Sequence, residues 1–164
     1  MHNSKSIFRA ITLIATAIAL TTALHAQQPI LYGAPIPLEK AKTVAAAAIA
    51  EAQKNSWLMA VTIVDSSGAL VFFEKMDGTQ LGSIEVSMAK AHSAIFFKRP
   101  TKAQDDSLVA GGAGIRVLKV PGAMPIEGGI PLIENGKIVG AVGVSGAQPS
   151  QDGQCATAAA AIIH

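Results

Sequence analysis

The chain has 164 residues, enough for one domain and too few for two of ordinary size. Half of the residues are apolar and only 15% are charged, so a packed core is expected and a disordered chain is excluded. Aromatic residues make up 4% and the formal net charge is +2, which argues against a base-stacking or nucleic-acid-coating surface.

The first 26 residues carry the features of a secretory signal peptide in the usual order. Lys5 and Arg9 form a positive start, an uncharged run from Ala10 to Leu24 follows, and Ala26 is a small residue at which cleavage is expected. The run has 15 residues, short of the roughly 20 that a bilayer-spanning helix needs. We therefore predict a signal peptide over 1–26, an N-terminal extension over 27–36, one domain over 37–164, and a periplasmic or secreted protein without a stable membrane span.

Cleavage of the signal peptide would remove the excess of basic residues and leave a single cysteine. Two of the 13 basic residues lie in the signal peptide, which leaves 11 basic residues against 11 acidic ones. No basic excess then remains for nucleic acid. Cys155 has no second cysteine to pair with, and we interpret it as a core residue, with a reactive thiol or an intermolecular disulfide as the alternatives.

The first half of the domain predicts a helix and a β-hairpin. The helix begins at Pro37, ends near Asn55, and has one face of small apolar side chains. Two β-branched runs, 58–64 and 69–73, flank a polar turn and predict the hairpin. The apolar helix face consists of Ala41, Val44, Ala45, Ala48, Ile49 and Ala52.

The second half predicts two more helices and a second hairpin. Ile84, Met88, Ala91 and Ile95 keep helical spacing up to Pro100, where the pattern breaks. Beyond Pro100 we expect a short helical turn that runs into glycines within 101–114, and then a short strand over 115–120. Two strands, 129–134 and 137–144, flank an Asn-Gly turn and predict the second hairpin. A last helix is expected over 152–163. This order predicts an α+β fold with an antiparallel sheet and helices packed on it.

Six short motifs follow one another along the domain: Val64–Gly68, Met76–Thr79, Lys90–Ala94, Gly128–Pro131, Gly140–Gly146 and Gln151–Asp152. In this order they resemble the GlcG/HbpS family of haem-associated proteins, also called domain of unknown function 336. The resemblance covers about residues 36–163 and implies an α+β domain with a sheet of about five antiparallel strands. It also implies a homo-oligomer and a link to haem binding or degradation, to corrinoid adenosyltransferases or to glycolate utilisation.

Haem needs an apolar slot, an axial ligand and cations for its propionates. His92 is the best-placed ligand, Met88 lies four residues before it, and Lys98 and Arg99 follow at the helix end. The alternative is that His92 flanks the buried face of its helix and bonds a neighbour or water. If His92 is not the ligand, Met88, Tyr32 or Cys155 could take that place.

Three acidic residues beside glycine-rich turns are candidates for lining a pocket. They are Asp77, Glu127 and Asp152, and Glu127 is the first that we would test; the alternative is turn and cap chemistry. Ser145 lacks the Gly-x-Ser-x-Gly pattern of a hydrolase nucleophile. Because no pair of histidines has ligand spacing, a metal site built by the protein alone is not expected, and no catalytic residue is assigned.

Three functions remain open from the sequence. The first is an exported protein that binds haem or a related tetrapyrrole. The second is an enzyme or accessory factor for a small oxygenated metabolite of the glycolate type, with Asp77 or Glu127 as the acid or base. The third is a structural protein whose homo-oligomer is its function. The net charge of zero after cleavage, the few charged residues and the alanine-faced helices favour a homo-oligomer under any of these three functions.

Overall fold

The computed structural model describes residues 29–163, so the predicted signal peptide and His164 lie outside the described residues. Within them the chain forms four α-helices, one 3₁₀ helix and five strands. In chain order these are β1 (Leu31–Tyr32), α1 (Leu38–Lys54), β2 (Ala60–Asp65), β3 (Leu70–Lys75), α2 (Ser83–Phe97), α3 (Lys102–Val109), the 3₁₀ helix (Gly112–Lys119), β4 (Gly129–Glu134), β5 (Lys137–Ser145) and α4 (Pro149–Ala160).

The sheet is built around β5. Strand β4 pairs with one of its edges and β2 with the other, β3 pairs with β2, and all these pairs are antiparallel. Strand β1 runs parallel to the start of β5. The α+β class is therefore confirmed, but the sheet is mixed rather than purely antiparallel. Two residues carry no periodicity, so the sequence did not predict β1.

One side of the sheet is covered by α1 and α4 and holds the larger apolar core. The face of α1 that the spacing predicts is buried as a whole. It packs with Val61 and Ile63 of β2 and with Val142 and Val144 of β5. Cys155 of α4 is fully buried in the same cluster, which confirms its interpretation as a core residue.

Both hairpins and the end of α2 before Pro100 are confirmed, whereas two other boundaries differ. The strand expected over 115–120 is wrong, because residues 115–119 lie in the 3₁₀ helix, which packs beside α3 and pairs with no strand within residues 29–163. Helix α4 begins at Pro149, earlier than expected, because Gln148 and Gln151 form a reciprocal cap at its start. No helix within 29–163 is both long and apolar enough to cross a membrane.

Candidate functional site

The other side of the sheet is covered by α2, and the interface is largely polar. The Ser87 and Thr62 hydroxyls lie 2.8 Å apart, the Ser145 hydroxyl is 3.3 Å from that of Ser83, and all four side chains are buried. Every buried side-chain polar atom among the described residues has a hydrogen-bond partner. Directional bonds of this kind fix the rotation of α2 on the sheet.

The predicted apolar face of α2 is only partly correct. Ala91 and Ile95 are buried, but Ile84 and Met88 are half-buried, and small polar residues take the positions against the sheet. The cause is Gly143 of β5, where a side-chain carbon would lie 2.0 Å from the Ser87 carbonyl oxygen. Since the helix backbone sits so close to the strand, only small side chains fit between them.

A buried ion pair links α2 to α4 around the end of β5. Lys90 Nζ donates to Asp152 Oδ2 at 2.7 Å and to the Val144 carbonyl at 3.1 Å, and the two charged side chains are 1% and 3% exposed. A side chain at Gly128 would lie 2.9 Å from Lys90 Nζ, and its φ of 129° favours glycine. A larger residue at Gly128 would therefore collide with the pair.

Each charge of this pair is costly to bury alone. Burial lowers the pKa of Lys90, with Asp152 acting against the shift, and burial raises the pKa of Asp152, with Lys90 acting against it. The short contact offsets part of this cost, since each group compensates the other. Both groups are held inside the fold, so the pair is a structural link between two helical layers.

The three acidic pocket candidates are only partly brought together. Asp152 is committed to Lys90, and the Glu127 carboxylate lies against Gly153 on the same helix. Glu127 is also 4.0 Å from Lys102 Nζ. Asp77 lies apart from them, exposed in the turn after β3. Their assignment to a ligand pocket stays a prediction.

We infer a surface trough between α2 and β3 from the way α2 packs. Within residues 29–163, α2 packs over β5, β2 and β4 and makes no substantial contact with β3, which stays uncovered on this side. Residues paired across strands share a face of the sheet, and Phe73 is paired with Thr62, whose hydroxyl contacts α2. Phe73 therefore points to the α2 side. By the same pairing Leu70, opposite Val64, and Lys75, opposite Ala60, share this side.

The facing wall of the trough comes from α2. Residues four apart lie one above the other on a helix, which gives the stripe Ile84, Met88, His92 and Phe96. All four are half-buried or exposed. The rings of His92 and Phe96 stack with centroids 5.7 Å apart. We call the space lined by Leu70, Phe73, Lys75, Ile84, Met88, His92 and Phe96 the trough.

The structure separates the four residues predicted for haem. Met88 and His92 share the trough, and no hydrogen bond to the His92 ring occurs within residues 29–163. Lys98 instead donates to the Ile30 carbonyl at 3.0 Å and lies 4.3 Å from the Tyr32 ring centroid. Arg99 is exposed and donates to the Phe97 carbonyl. The axial ligand and propionate roles stay predictions.

Two of the alternative ligands are engaged elsewhere. The Tyr32 hydroxyl donates to the Ile95 carbonyl at 2.8 Å, and Cys155 is buried on the opposite side of the sheet. Sequence reasoning missed that Leu70, Phe73 and Lys75 share the α2 side of the sheet. A register irregularity between Ile63 and Val64 interrupts the alternation that could have pointed to them.

Comparison with known proteins places this geometry in a family. The family model described as haem degrading protein HbpS-like matches residues 36–161. The chain belongs to the HbpS-like family. Protein GlcG of Escherichia coli K12 is 35% identical over 107 residues, which are 65% of this chain and 78% of GlcG. The resemblance inferred from the motifs is confirmed.

Solved structures support the same assignment. A double mutant of HbpS from Streptomyces reticuli is 26% identical, with a TM-score of 0.73, and the match covers 88% of this chain and 97% of that one. The structure of a PduOC complex with heme is also 26% identical, with a TM-score of 0.71, over 79% of this chain and 96% of that one. A member of this fold thus carries haem.

Proposed function

We propose that this protein binds haem and that the haem lies in the trough. The observation that carries the proposal is that His92 and Met88, two side chains of the kinds that ligate haem iron, lie on the partly exposed stripe of α2, where the His92 ring stacks on Phe96. The family description and the haem complex of PduOC support the same ligand class.

The residues of the trough offer apolar surface for the macrocycle of haem and a ligand for its iron. Leu70, Phe73 and Phe96 offer partly exposed apolar surface to the macrocycle. When haem is bound, the His92 imidazole would ligate the iron through a ring nitrogen, with the iron as the acceptor of the electron pair. Lys98 can pair with a propionate less readily than the sequence predicts, because its amine donates to the Ile30 carbonyl.

The test is absorption spectroscopy with added hemin on the mature chain from Gln27. We expect the unaltered protein to shift the Soret band at a 1:1 ratio. His92→Ala should change the band and weaken binding by at least about tenfold, which equals about 1.4 kcal/mol. Met88→Leu keeps volume and removes the sulfur ligand, and Met124→Leu, in a loop outside the trough, is its matched control.

The outcomes distinguish the candidate ligands. A change with Met88→Leu and none with Met124→Leu would assign the thioether as the ligand or as a second ligand. Unchanged spectra for both His92→Ala and Met88→Leu would contradict haem ligation in the trough. A protein that never shifts the Soret band would contradict the function itself and leave the metabolite and structural hypotheses.

We further propose that the protein is exported. The support is the charged start, apolar run and small residue at Ala26. Intact-mass measurement of protein from its native source should give a chain of 138 residues, the 164 less the 26 removed. A mass that includes residues 1–26 would contradict export by cleavage.

We also propose that the chain forms a homo-oligomer. The support is the number of large apolar side chains that remain exposed, with Leu81 and Val109 at 78% and 81%. Light scattering at micromolar concentration should give a multiple of the chain mass. A monomer mass across that range would contradict the proposal.

A further inference from the structure

The 3₁₀ helix at Gly112–Lys119 has no residue in the core. Its eight residues are all at least partly exposed, and Ile115 and Leu118 are 52% and 59% exposed. A 3₁₀ helix of more than about four residues is uncommon. Within residues 29–163, α3 is the one element against which this 3₁₀ helix packs substantially. Its apolar side chains therefore add little to the stability of the domain.

The same segment carries positive charge without compensation. No acidic residue occurs between Asp106 and Glu127, whereas Arg116 and Lys119 both lie in the 3₁₀ helix. Both cations are exposed, and neither forms an ion pair with any residue in 29–163. The surface thus combines exposed apolar side chains with cations, which suits an apolar ligand bearing negative groups.

This surface is continuous with the trough. The chain leaves the 3₁₀ helix and reaches Gly122, where a side-chain carbon would lie 3.4 Å from the Phe96 ring. Phe96 also approaches Gly68, in the turn between β2 and β3. The segment that follows the 3₁₀ helix therefore reaches the Phe96 end of the trough, opposite the end near Lys75.

We infer that the 3₁₀ helix is a second ligand-contacting element of the haem site, an inference that rests on the proposed function. Ile115 and Leu118 contact the edge of the macrocycle, and Arg116 and Lys119 pair with the propionates. A second copy of the chain fits this surface less well. A twofold interface places the same patch against itself, so four cations would face one another without an anion.

The experiment compares hemin with hemin dimethyl ester, which has the same macrocycle and no carboxylates. The double variant Arg116→Gln/Lys119→Gln should weaken hemin binding by about twofold to fivefold per charge, as for partly exposed ion pairs. It should leave binding of the ester unchanged. Lys54→Gln is the matched control and should change neither, because Lys54 is exposed on α1, the helix that covers the opposite side of the sheet.

The apolar part of the inference has its own variant. Ile115→Ser/Leu118→Ser should weaken binding of hemin and of the ester alike, by about tenfold, with no change in melting temperature because neither residue is buried. Equal affinities for all variants would overturn the inference while haem binding by the unaltered protein stands. A drop in oligomer mass with unchanged affinity would also overturn it and assign the surface to a second copy. Absence of binding by the unaltered protein would instead remove the proposed function.

Discussion

The two sides of the sheet are built by different means. On the side of α1 and α4, small and branched apolar residues interlock, and the core cluster there runs from Ile36 to Ile163. On the side of α2, buried serines, a threonine and an ion pair lie between the helix and the strands. The apolar cluster on that side has six residues, so polar contacts hold much of the interface.

The difference separates stability from specificity. Apolar burial is non-directional and supplies most of the folding free energy. Hydrogen bonds and ion pairs require defined geometry, and therefore they fix where a helix lies. The side with the defined geometry is also the side that carries His92 and Met88. We take the polar interface as the means by which α2 presents its outer stripe to a ligand.

The largest effect should come from breaking the buried ion pair. Asp152→Ala leaves the Lys90 ammonium buried without its partner, and we expect the free energy of unfolding to fall by about 3–5 kcal/mol. Urea denaturation measures it. The control is the double variant Lys90→Met/Asp152→Leu, which removes both charges. It should recover most of the loss, since replacing a whole buried pair with apolar residues often costs nothing, and the remaining cost is that of the Ala147 N–H, which loses the Asp152 oxygen as its acceptor. A double variant as unstable as the single one would contradict this account.

The second prediction compares one residue from each side of the sheet. Ile63 is fully buried under α1 and α4, and Ile63→Ala should cost about 2–5 kcal/mol through the lost contacts and the cavity. Met88→Ala on the half-buried stripe should cost about 1 kcal/mol or less, because part of that side chain is already in water. Equal costs in denaturation would mean that the outer stripe of α2 is as well packed as the core.

The third prediction concerns the lone cysteine of the apolar side. Burial raises the pKa of Cys155 to about 11, so the thiol is neutral at pH 7 and serves as a small apolar group. Cys155→Ser places a hydroxyl there and should cost about 1–3 kcal/mol, whereas Cys155→Ala should cost less. Iodoacetamide should label the native protein far more slowly than the unfolded chain. Fast labelling of the native protein would show that the thiol is accessible.

The smallest effect is expected at Asp65, in the turn at the Phe96 end of the trough. Burial raises the pKa of Asp65, but hydrogen bonds from Ser67, Ala69 and Gly68 outweigh it and hold the pKa below its ordinary value of 3.8. A lowered pKa contributes stability at neutral pH that is lost as the pH falls through the folded value. Asp65→Asn should remove about 1 kcal/mol, and its stability should fall less steeply below about pH 4. Identical pH profiles would contradict this.

Sequence reasoning succeeded where one physical signal decided the structure. The alanine face of α1 and the Asn135-Gly136 turn each followed from local periodicity or turn chemistry, and the structure has both. It was only partly right about the buried face of α2, because the close approach at Gly143 and the partner of Lys90 are set by residues more than 50 positions away. Lys75 was missed for the same reason, since only the strand register places it beside α2.

The most direct test uses two neighbouring residues of β3 that face opposite sides of the sheet. Phe73 is paired with Thr62 on the α2 side, whereas Phe72 packs against the core under α1 and α4. Hemin titration of Phe73→Ala should show at least about tenfold weaker binding with little loss of stability. Phe72→Ala should lower stability and leave the hemin affinity of the folded protein unchanged. Equal hemin affinities for Phe73→Ala and the unaltered protein would contradict a haem site in the trough.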